Sequence, residues 1–175
     1  MANFFTADTH FDHANIIKYC NRPFSSLDEM NQTIINNWNS VVKSEDVVYF
    51  LGDFAFHRAD YFVKILNGHK ILIIGSHDKE IRPLYRPWAF EEATPMKEIN
   101  IEGQSVTMCH YAMRRWPRSH YGAWHLYGHS HGNLPPIGKS WDVGVDNNSF
   151  TPLSWQEIVT LMKSRPNNDE NYVRA

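Results

Sequence analysis

The segment ILIIGSHDKE, residues 71–80, runs from an apolar stretch into a polar turn. Residues 71–74 form a short aliphatic run, which is typical of a strand buried on both faces of a sheet. An imidazole and a carboxylate lie at the tip of this predicted strand, in the order Gly75, Ser76, His77 and Asp78. Whether these groups belong to a site depends on the residues at the ends of the other strands.

The composition is that of one globular domain. The chain has 175 residues, of which 42% are hydrophobic and 14% aromatic, enough for a core of its own. The formal net charge is only −2, and basic residues are interspersed among acidic ones, so there is no large field of one sign. This balance argues against binding of a nucleic-acid backbone or an anionic membrane over an extended surface.

The N-terminus and the cysteines predict a cytoplasmic protein. The opening MANFFTADTH has no basic region, and Asp8 interrupts its apolar run, so it does not resemble a secretory signal. No stretch approaches the roughly 18 apolar residues of a transmembrane helix. Cys20 and Cys109 are the only cysteines, too few for a disulfide framework, which favours a reducing compartment.

Short runs rich in β-branched and aromatic residues are predicted to be strands. They are Asn3–Ala7, Val47–Leu51, Lys70–Ile74, Ile99–Glu102, Val106–His110, His125–Gly128 and Trp141–Val145. Predicted helices follow a capping-box pattern at Ser26–Glu29, cover Tyr61–Leu66, and follow a second capping box at Ser154–Glu157. This order favours an α/β layered domain in which a partly parallel sheet meets a more antiparallel one. We expect one domain over residues 1–164 and a loose polar tail over 165–175.

Aspartate and histidine residues lie just after five of the predicted strands. They are Asp8 and His10, then Asp53, then His77 and Asp78, then His110, and finally His129 and His131. In extended backbone, residues two apart point the same way, so Asp8 with His10, and His129 with His131, are each expected to face one site. Because sites in open α/β sheets form beyond the carboxyl ends of the strands, this pattern predicts a metal centre.

Each of these residues has a simpler interpretation when taken alone. An aspartate after a strand is commonly a turn or cap residue, and a lone histidine is commonly a hydrogen-bonded core residue. The joint pattern argues for a site, because the simpler interpretations would require unrelated coincidences at successive strand ends. Glycines before Asp53, Ser76 and His129 also fit tight turns that bring the backbone close to a ligand.

The ordered set resembles the calcineurin-like metallophosphoesterase superfamily, in particular its small single-domain bacterial and bacteriophage members. The matching pieces are D-x-H at residues 8–10, G-D at 52–53, G-x-H-D at 75–78, His110, and G-H-x-H at 128–131. The later DVGVDN at 142–147 is also similar to those members. The resemblance implies a β-sandwich of two mixed sheets flanked by helices, in four layers αββα.

The resemblance also implies two divalent metal ions. Asp8, His10 and His131 would hold the first, His110 and His129 the second, and Asp53 would bridge them. His77 would serve as a proton donor or phosphate contact, with Asp78 orienting its ring. Two cations about 3.5–4 Å apart neutralise phosphoryl oxygens, and their shared water becomes a hydroxide that attacks in line. Mixed His and carboxylate sites accept Mn, Fe, Ni, Co or Zn, so the identity of the ion stays open.

Ser76 departs from the family motif, in which an asparagine at this position ligates the second metal. A serine hydroxyl is shorter than an amide side chain and a weaker neutral donor, so it is expected to reach the ion only through a water. We therefore predict a weaker second metal site and slower turnover than in a typical member.

Two further segments are candidates for substrate contacts. His13 and Asn15 come soon after the first ligand pair, where a substrate contact by His13 and a polar turn capped by Asn15 are equally compatible with the sequence. Residues 113–124, MRRWPRSHYGAW, place Arg114 and Arg115 among aromatic residues. Arginines suit phosphate oxygens and aromatic rings suit base stacking, but a solvated loop with inward-packed tryptophans fits equally well.

The leading hypothesis is a dinuclear metal-dependent phosphoesterase acting on mono- or diesters, including nucleotides and the phosphate ends of nucleic acids. An alternative is a degenerate metal-bound scaffold, although a scaffold has little need of His77. A mononuclear hydrolase or oxygenase would leave His110 and His129 unexplained. Metal stoichiometry separates these hypotheses.

Overall fold

The computed structural model describes residues 1–78 and 89–168 and contains two mixed β-sheets. The strands of the first sheet are β1 (Asn3–Thr6), β2 (Val47–Phe50), β3 (His69–Ile73), β4 (Glu92–Thr94) and β9 (Leu153–Ser154). They lie in the order β4-β3-β2-β1-β9. Neighbouring strands are parallel except β9, which pairs antiparallel with β1.

The second sheet is built mainly from parallel strands as well. Its members are β5 (Met96–Ile101), β6 (Gln104–Cys109), β7 (Trp124–Tyr127) and β8 (Ser140–Asp142), in the order β5-β6-β7-β8. Only β5 is antiparallel to its neighbour. The second sheet was expected to be the more antiparallel of the two, but the difference between the sheets is small. Long connections after β6 and β7 return the chain, so that the next strand begins parallel to the previous one.

Helices flank the sheets, as expected for an α/β protein. They are α1 (Ala14–Tyr19), α2 (Leu27–Val41), α3 (Ala59–Ile65) and α4 (Trp155–Ser164), with 3-10 turns at Ser119–Tyr121 and Val145–Asn147. The capping box of α4 is confirmed. At α2, Ser26 caps the helix, but the Glu29 carboxylate accepts from Ser25 instead of closing the box.

Apolar side chains form two core layers on the two faces of the first sheet. One face packs against α2 and α3 through residues such as Phe50, Trp38 and Phe62. The other packs against the second sheet through residues such as Phe5 and Met108. The central strands of the first sheet are therefore buried on both sides, which explains their continuous apolar runs.

The predicted tail is described only in part, over residues 165–168. Arg165 donates hydrogen bonds to Gly138 and Pro136, and Asn168 donates to Ser119 and Ala123. Residues 169–175 lie outside the described residues. Among the helices described above, none has the length and apolarity needed to cross a bilayer.

Candidate metal centre

The carboxyl ends of the parallel strands in both sheets meet at one edge of the domain. The two sheets are joined there by a bridge between Ala7 and Gly144, with the Val145 N–H donating to the Ala7 carbonyl over 3.0 Å. At this edge the ends of neighbouring strands are also hydrogen-bonded: the Asp8 N–H donates to the Gly52 carbonyl, and the Gly128 N–H donates to the His110 carbonyl. All the predicted strand-end ligands are consequently brought to one region.

Three of the predicted ligands converge as the first group. One ligand atom each from Asp8, His10 and His131 lies within 4.8 Å of the other two. Asp8 and His10 are buried and His131 is partly buried, and the rings of His10 and His131 stack with centroids 5.3 Å apart. This is the set expected for the first metal ion.

The second group contains Asp53, His110 and His129, again with ligand atoms within 4.8 Å of one another. Asp53 and His110 are buried, whereas His129 is exposed. Asp53 also links the two groups, because its Oδ2 atom lies 3.5 Å from His110 Nε2 and 3.7 Å from His10 Nε2. At these lengths the contacts are electrostatic rather than good hydrogen bonds.

Several of these buried ligand atoms are left without hydrogen bonds. Among the described residues, Asp8 Oδ1, His10 Nε2 and His110 Nε2 are buried and have no hydrogen-bond partner. A buried polar atom without a partner costs about 1–3 kcal/mol, so native proteins rarely retain one without a reason. Carboxylate oxygens and imidazole nitrogens that point at a common point fit a bound transition-metal ion.

The backbone reaches this arrangement through left-handed residues rather than through extended strands. Asp8, His10, Asp53, His129 and His131 have φ between 48° and 66°. The expectation that Asp8 and His10, or His129 and His131, share a direction because of extended backbone is wrong, although each pair does face the site. Aspartate and histidine tolerate this conformation better than most residues, at a cost of about 1–3 kcal/mol each. Such strain is concentrated at functional sites.

Gly75 permits the close approach on which the second group depends. A Cβ atom at this position would lie 2.3 Å from Asp53 Oδ1 and 2.5 Å from the Asp53 backbone nitrogen. Gly128 is similar, since its Cβ would lie 2.6 Å from Asp8 Oδ2. The glycines thus make room for the Asp53 and Asp8 carboxylates.

Burial and mutual charge set the protonation of the site. Burial raises the pKa of Asp8 to about 8 and lowers the pKa of His10 to about 3. Burial would also lower the pKa of His110, but Asp53 and Asp8 outweigh it and raise that pKa to about 9. Burial would raise the pKa of Asp53, yet His110 and the His77 N–H hold it well below its usual range. Asp53 and His110 therefore stabilise each other's charged forms, whereas burial favours the neutral forms of Asp8 and His10.

Outer hydrogen bonds orient two of the histidines. Nδ1 of His110 donates to the Leu51 carbonyl over 2.7 Å, which turns Nε2 toward Asp53. Nδ1 of His131 lies 2.7 Å from Asp146 Oδ2, which accepts its hydrogen bond. Carboxylates and carbonyls bound in this way to the far nitrogen of a histidine are typical of metal ligands.

Arg22 and Asp146 are functional candidates that the sequence interpretation missed. The buried Arg22 guanidinium donates to both carboxylate oxygens of Asp146, over 2.7 and 2.8 Å. It also donates to the carbonyls of Asp8 and Thr9. Arg22 therefore ties the loop that carries Asp8 to the outer partner of His131. The DVGVDN segment was a signal for Asp146, but nothing in the sequence near Arg22 pointed to it.

Asp78 does not take the position expected for it. Its buried carboxylate accepts hydrogen bonds from the backbone N–H groups of Asp53, Gly75 and Phe54, over 2.7–2.9 Å. The sequence-based role of orienting the His77 ring is corrected accordingly. Asp78 holds the two loops that carry Asp53 and His77 against each other, because a carboxylate can accept several N–H groups at once.

Ser76 contacts the carboxylate that links the two groups. Its hydroxyl donates to Asp53 Oδ2 over 3.0 Å and lies 3.3 Å from Oδ1. The neighbouring His77 N–H also donates to Oδ1, over 2.8 Å. Ser76 therefore lies beside the second group, but as a donor to another ligand.

The predicted substrate residues fall in two places. His77 is half-exposed, with Nε2 4.0 Å from Asp53 Oδ2, and His13 stacks on Phe56 at the same side of the site. Asn15 lies inside α1 and is exposed, so it is not the cap of that helix. Arg114 and Arg115 line a cleft of about 670 Å³ whose described lining contains none of the candidate metal ligands. Their contact with substrate stays a prediction.

The fold and the site together define an α/β protein whose sheet edge carries two groups of histidine and aspartate able to hold metal. No family model matches the chain. The uncharacterized protein MJ1445 of Methanocaldococcus jannaschii is 38% identical over 169 residues, covering 90% of this chain and 89% of that protein. The chain therefore belongs to the same family as this archaeal protein.

Two other relatives support the likeness in sequence and in structure. The gene 66 protein of Mycobacterium phage L5 is 31% identical over 80 residues, which is 42% of this chain and 38% of the phage protein. The crystal structure of AQ665, a protein of unknown function from Aquifex aeolicus, matches with a TM-score of 0.73 and 28% identity. That match covers 91% of this chain and 98% of the Aquifex chain.

Proposed function

We propose that this protein is a dinuclear metal-dependent phosphoesterase of the calcineurin-like metallophosphoesterase superfamily. The proposal rests on the order of Asp and His residues along the chain and on their convergence at one edge of two stacked mixed sheets. The four-layer αββα arrangement of that superfamily belongs to this proposal, as do the cytoplasmic location and a nucleotide-like substrate.

One observation carries the proposal. Two groups of three ligands lie side by side, with the Asp53 carboxylate between His10 and His110 and with unpartnered buried atoms in each group. Asp8, His10 and His131 would hold one divalent ion, and His110 and His129 the other, with Asp53 shared. Such a pair of ions neutralises phosphoryl oxygens and supplies the water nucleophile at neutral pH. Mn, Fe, Ni and Zn all suit these ligands.

His77 is the residue available for proton transfer. Its side chain is 51% exposed, and the backbone N–H of His77 is fixed by Asp53. An exposed imidazole beside a phosphate can contact a phosphoryl oxygen or give a proton to the departing oxygen of the ester. Asp78 positions this loop through the backbone of Gly75.

A degenerate binding module is the second candidate, and one observation favours it. The Ser76 hydroxyl donates a hydrogen bond to Asp53. A hydrogen-bond donor therefore occupies the position at which the family motif has an asparagine that ligates the metal. If this weakens the second ion enough, the protein would bind a phosphate ester with little turnover.

Metal content and hydrolysis distinguish the two candidates. We expect two Mn²⁺ ions per chain by elemental analysis, in keeping with the two ligand groups. We also expect Mn²⁺-dependent hydrolysis of p-nitrophenyl phosphate or of its bis ester. His110→Asn should lose the second ion and turnover, whereas the exposed His69, paired with Glu91 away from the site, provides a matched His69→Asn control that should keep both.

Two ions without turnover on either ester would favour the binding module. One ion without turnover in the unaltered protein would favour it as well, since Ser76 would then have weakened the second site. One ion with turnover would contradict the dinuclear centre and favour a mononuclear one.

A further inference from the structure

A buried arginine lies behind the first ligand group. The Arg22 side chain has 0% exposure and lies between α1 and α2. Its Nε donates to Asp146 Oδ1 over 2.7 Å, and its Nη2 donates to Asp146 Oδ2 over 2.8 Å and to the Asp8 carbonyl over 2.7 Å. Its Nη1 donates to the Thr9 carbonyl over 3.0 Å and to the Met30 sulfur over 3.3 Å. All five N–H groups of the guanidinium therefore have partners.

The guanidinium is fixed in orientation. The Arg22 N–H donates to the Ile17 carbonyl, and the Arg22 carbonyl accepts from the Phe24 N–H, so the backbone is held on both sides. The Phe150 ring lies against the guanidinium, with 5.8 Å between the ring centroid and Cζ. A planar fork held in this way binds both oxygens of a carboxylate in one arrangement. The Asp146 carboxylate must therefore match a fork that its other contacts already hold in place.

A buried ion pair of this kind is a poor source of stability, which points to another role. The exposed fractions are 0% for the Arg22 side chain and 7% for that of Asp146. Removing two charges from water costs about as much as their attraction returns, so apolar residues of similar size often stabilise a protein equally well. Here the pair fixes the position of a group that binds a ligand residue, because Asp146 Oδ2 accepts from His131 Nδ1 over 2.7 Å.

These contacts connect the two halves of the first ligand group. Asp8 comes from the turn after β1, whereas His131 comes from the loop after β7. The fork joins the Asp8 carbonyl to Asp146, and Asp146 in turn binds Nδ1 of His131. With Nδ1 engaged, Nε2 is the nitrogen left to ligate an ion. In the second group, the outer partner of His110 is instead the neutral Leu51 carbonyl.

We propose that Arg22 is a positioning residue of the first metal site, which acts through Asp146 to hold the His131 ring toward Asp8 before an ion binds. The inference rests on the proposed function, because it requires an ion in this group. The positive charge alone does not perform this role. The guanidinium fork reaches two carboxylate oxygens and two backbone carbonyls at once, which a single ammonium nitrogen cannot do.

Arg22→Lys tests the role of the fork, because it keeps the charge and removes the fork. We expect the dissociation constant of the first Mn²⁺ ion, measured by chelator competition, to rise about 10–100-fold, the range for outer partners of a metal ligand. The second dissociation constant should stay within about threefold. His110→Asn, which should retain only the first ion, assigns the two constants.

Arg58→Lys is the matched control. Arg58 forms the same bidentate fork with Asp12, over 2.6 and 2.7 Å, but its side chain is 59% exposed. Both dissociation constants should stay within about threefold in this variant.

Double variants test whether the effect passes through Asp146. If the two residues form one chain of contacts, Arg22→Lys should add less than about threefold to the effect of Asp146→Asn, whereas independent roles would multiply the two effects. Arg22→Met combined with Asp146→Asn removes both charges, so that neither is left buried and unpaired. This neutral double variant should show the same loss of about 10–100-fold in first-ion affinity, and it carries the test if Arg22→Lys does not fold.

An unchanged first dissociation constant in Arg22→Lys or in the neutral double variant would overturn the inference. So would equal weakening of both ions, multiplied effects in the combination of Arg22→Lys with Asp146→Asn, or the absence of an ion from the first group of the unaltered protein. Binding of the first ion that depends on Arg22, without hydrolysis of either ester, would support the inference while contradicting the phosphoesterase.

Discussion

Replacement of Ser76 by asparagine tests the second ligand group most directly. The Ser76 hydroxyl donates to Asp53 Oδ2 over 3.0 Å, so it stands next to the shared carboxylate and competes for one of its lone pairs. An asparagine side chain extends one bond further from the backbone and ends in a carbonyl oxygen, which can ligate a cation directly. Ser76→Asn should therefore strengthen the second metal site.

The expected change in affinity for the second metal ion depends on the contact that each substitution removes or adds. Changes in the outer partners of a metal ligand alone alter affinity by about 10–100-fold. One added direct oxygen ligand should thus tighten the second ion by at least about tenfold, or about 1.4 kcal/mol. Ser76→Ala is the control, because it removes the hydrogen bond to Asp53 without adding a ligand, and its affinity should stay within about threefold.

Chelator competition with Mn²⁺ gives the two dissociation constants, and hydrolysis of an aryl phosphate gives the turnover. We expect both the second affinity and the turnover to rise in Ser76→Asn. An unchanged second dissociation constant would refute the reasoning. Equal gains in Ser76→Ala and Ser76→Asn would show that release of the Asp53 carboxylate, not a new ligand, is responsible.

Four other predictions concern particular contacts. His77→Asn should keep full metal content by elemental analysis but slow ester hydrolysis by about 10²–10⁴-fold, the range for loss of a proton-transfer group; a rate within threefold of the original would contradict its role. Asp146→Asn loses the anionic partner of His131 and should weaken the first ion by about 10–100-fold in chelator competition, with the second ion unaffected; equal weakening of both would point to a general structural effect. Asp78→Asn retains one acceptor oxygen where three backbone N–H groups need partners, so urea unfolding should show a loss of about 2–3 kcal/mol; a loss below about 0.5 kcal/mol would count against the bracing role. Burial lowers the pKa of His125 from 6.5 to about 4. Its contribution to the free energy of unfolding, about 3 kcal/mol, is therefore present above pH 6.5 and is lost as the pH falls toward 4. His125→Gln should accordingly show a shallower decline of unfolding free energy between about pH 7 and 5 than the original protein, and parallel curves would disprove the assignment.

The amino-acid sequence alone determined the types of element and the chemistry at the strand ends. Apolar runs such as residues 47–51 and 71–74 predict strands, because a strand that is buried on both faces has consecutive apolar residues. The structure has strands at Val47–Phe50 and His69–Ile73. The start of helix α4 was likewise predictable from its capping box. β4 and β9, with three and two residues, are too short for a periodic pattern and were missed.

The order of Asp8, His10, Asp53, His110 and the later histidines also came from the sequence, since parallel strands bring their carboxyl ends to one edge. The strand-end pattern did not divide the ligands into two groups; the family resemblance implied that division, and the structure shows the two groups with Asp53 between them. Their arrangement depends on left-handed backbone at the ligands, which local sequence does not specify because aspartate and histidine also adopt other conformations.

Contacts between distant segments were decided by the tertiary structure alone. Arg22 and Asp146 are 124 residues apart, and Asp78 reaches the backbone of Asp53 across 25 residues. Such pairs leave no periodic signal in the sequence, because the partners lie far apart along the chain and Arg22 and Asp53 lie outside the helices and strands. Local chemistry therefore specified which residues can bind metal, and the packing of the two sheets decided how they are held.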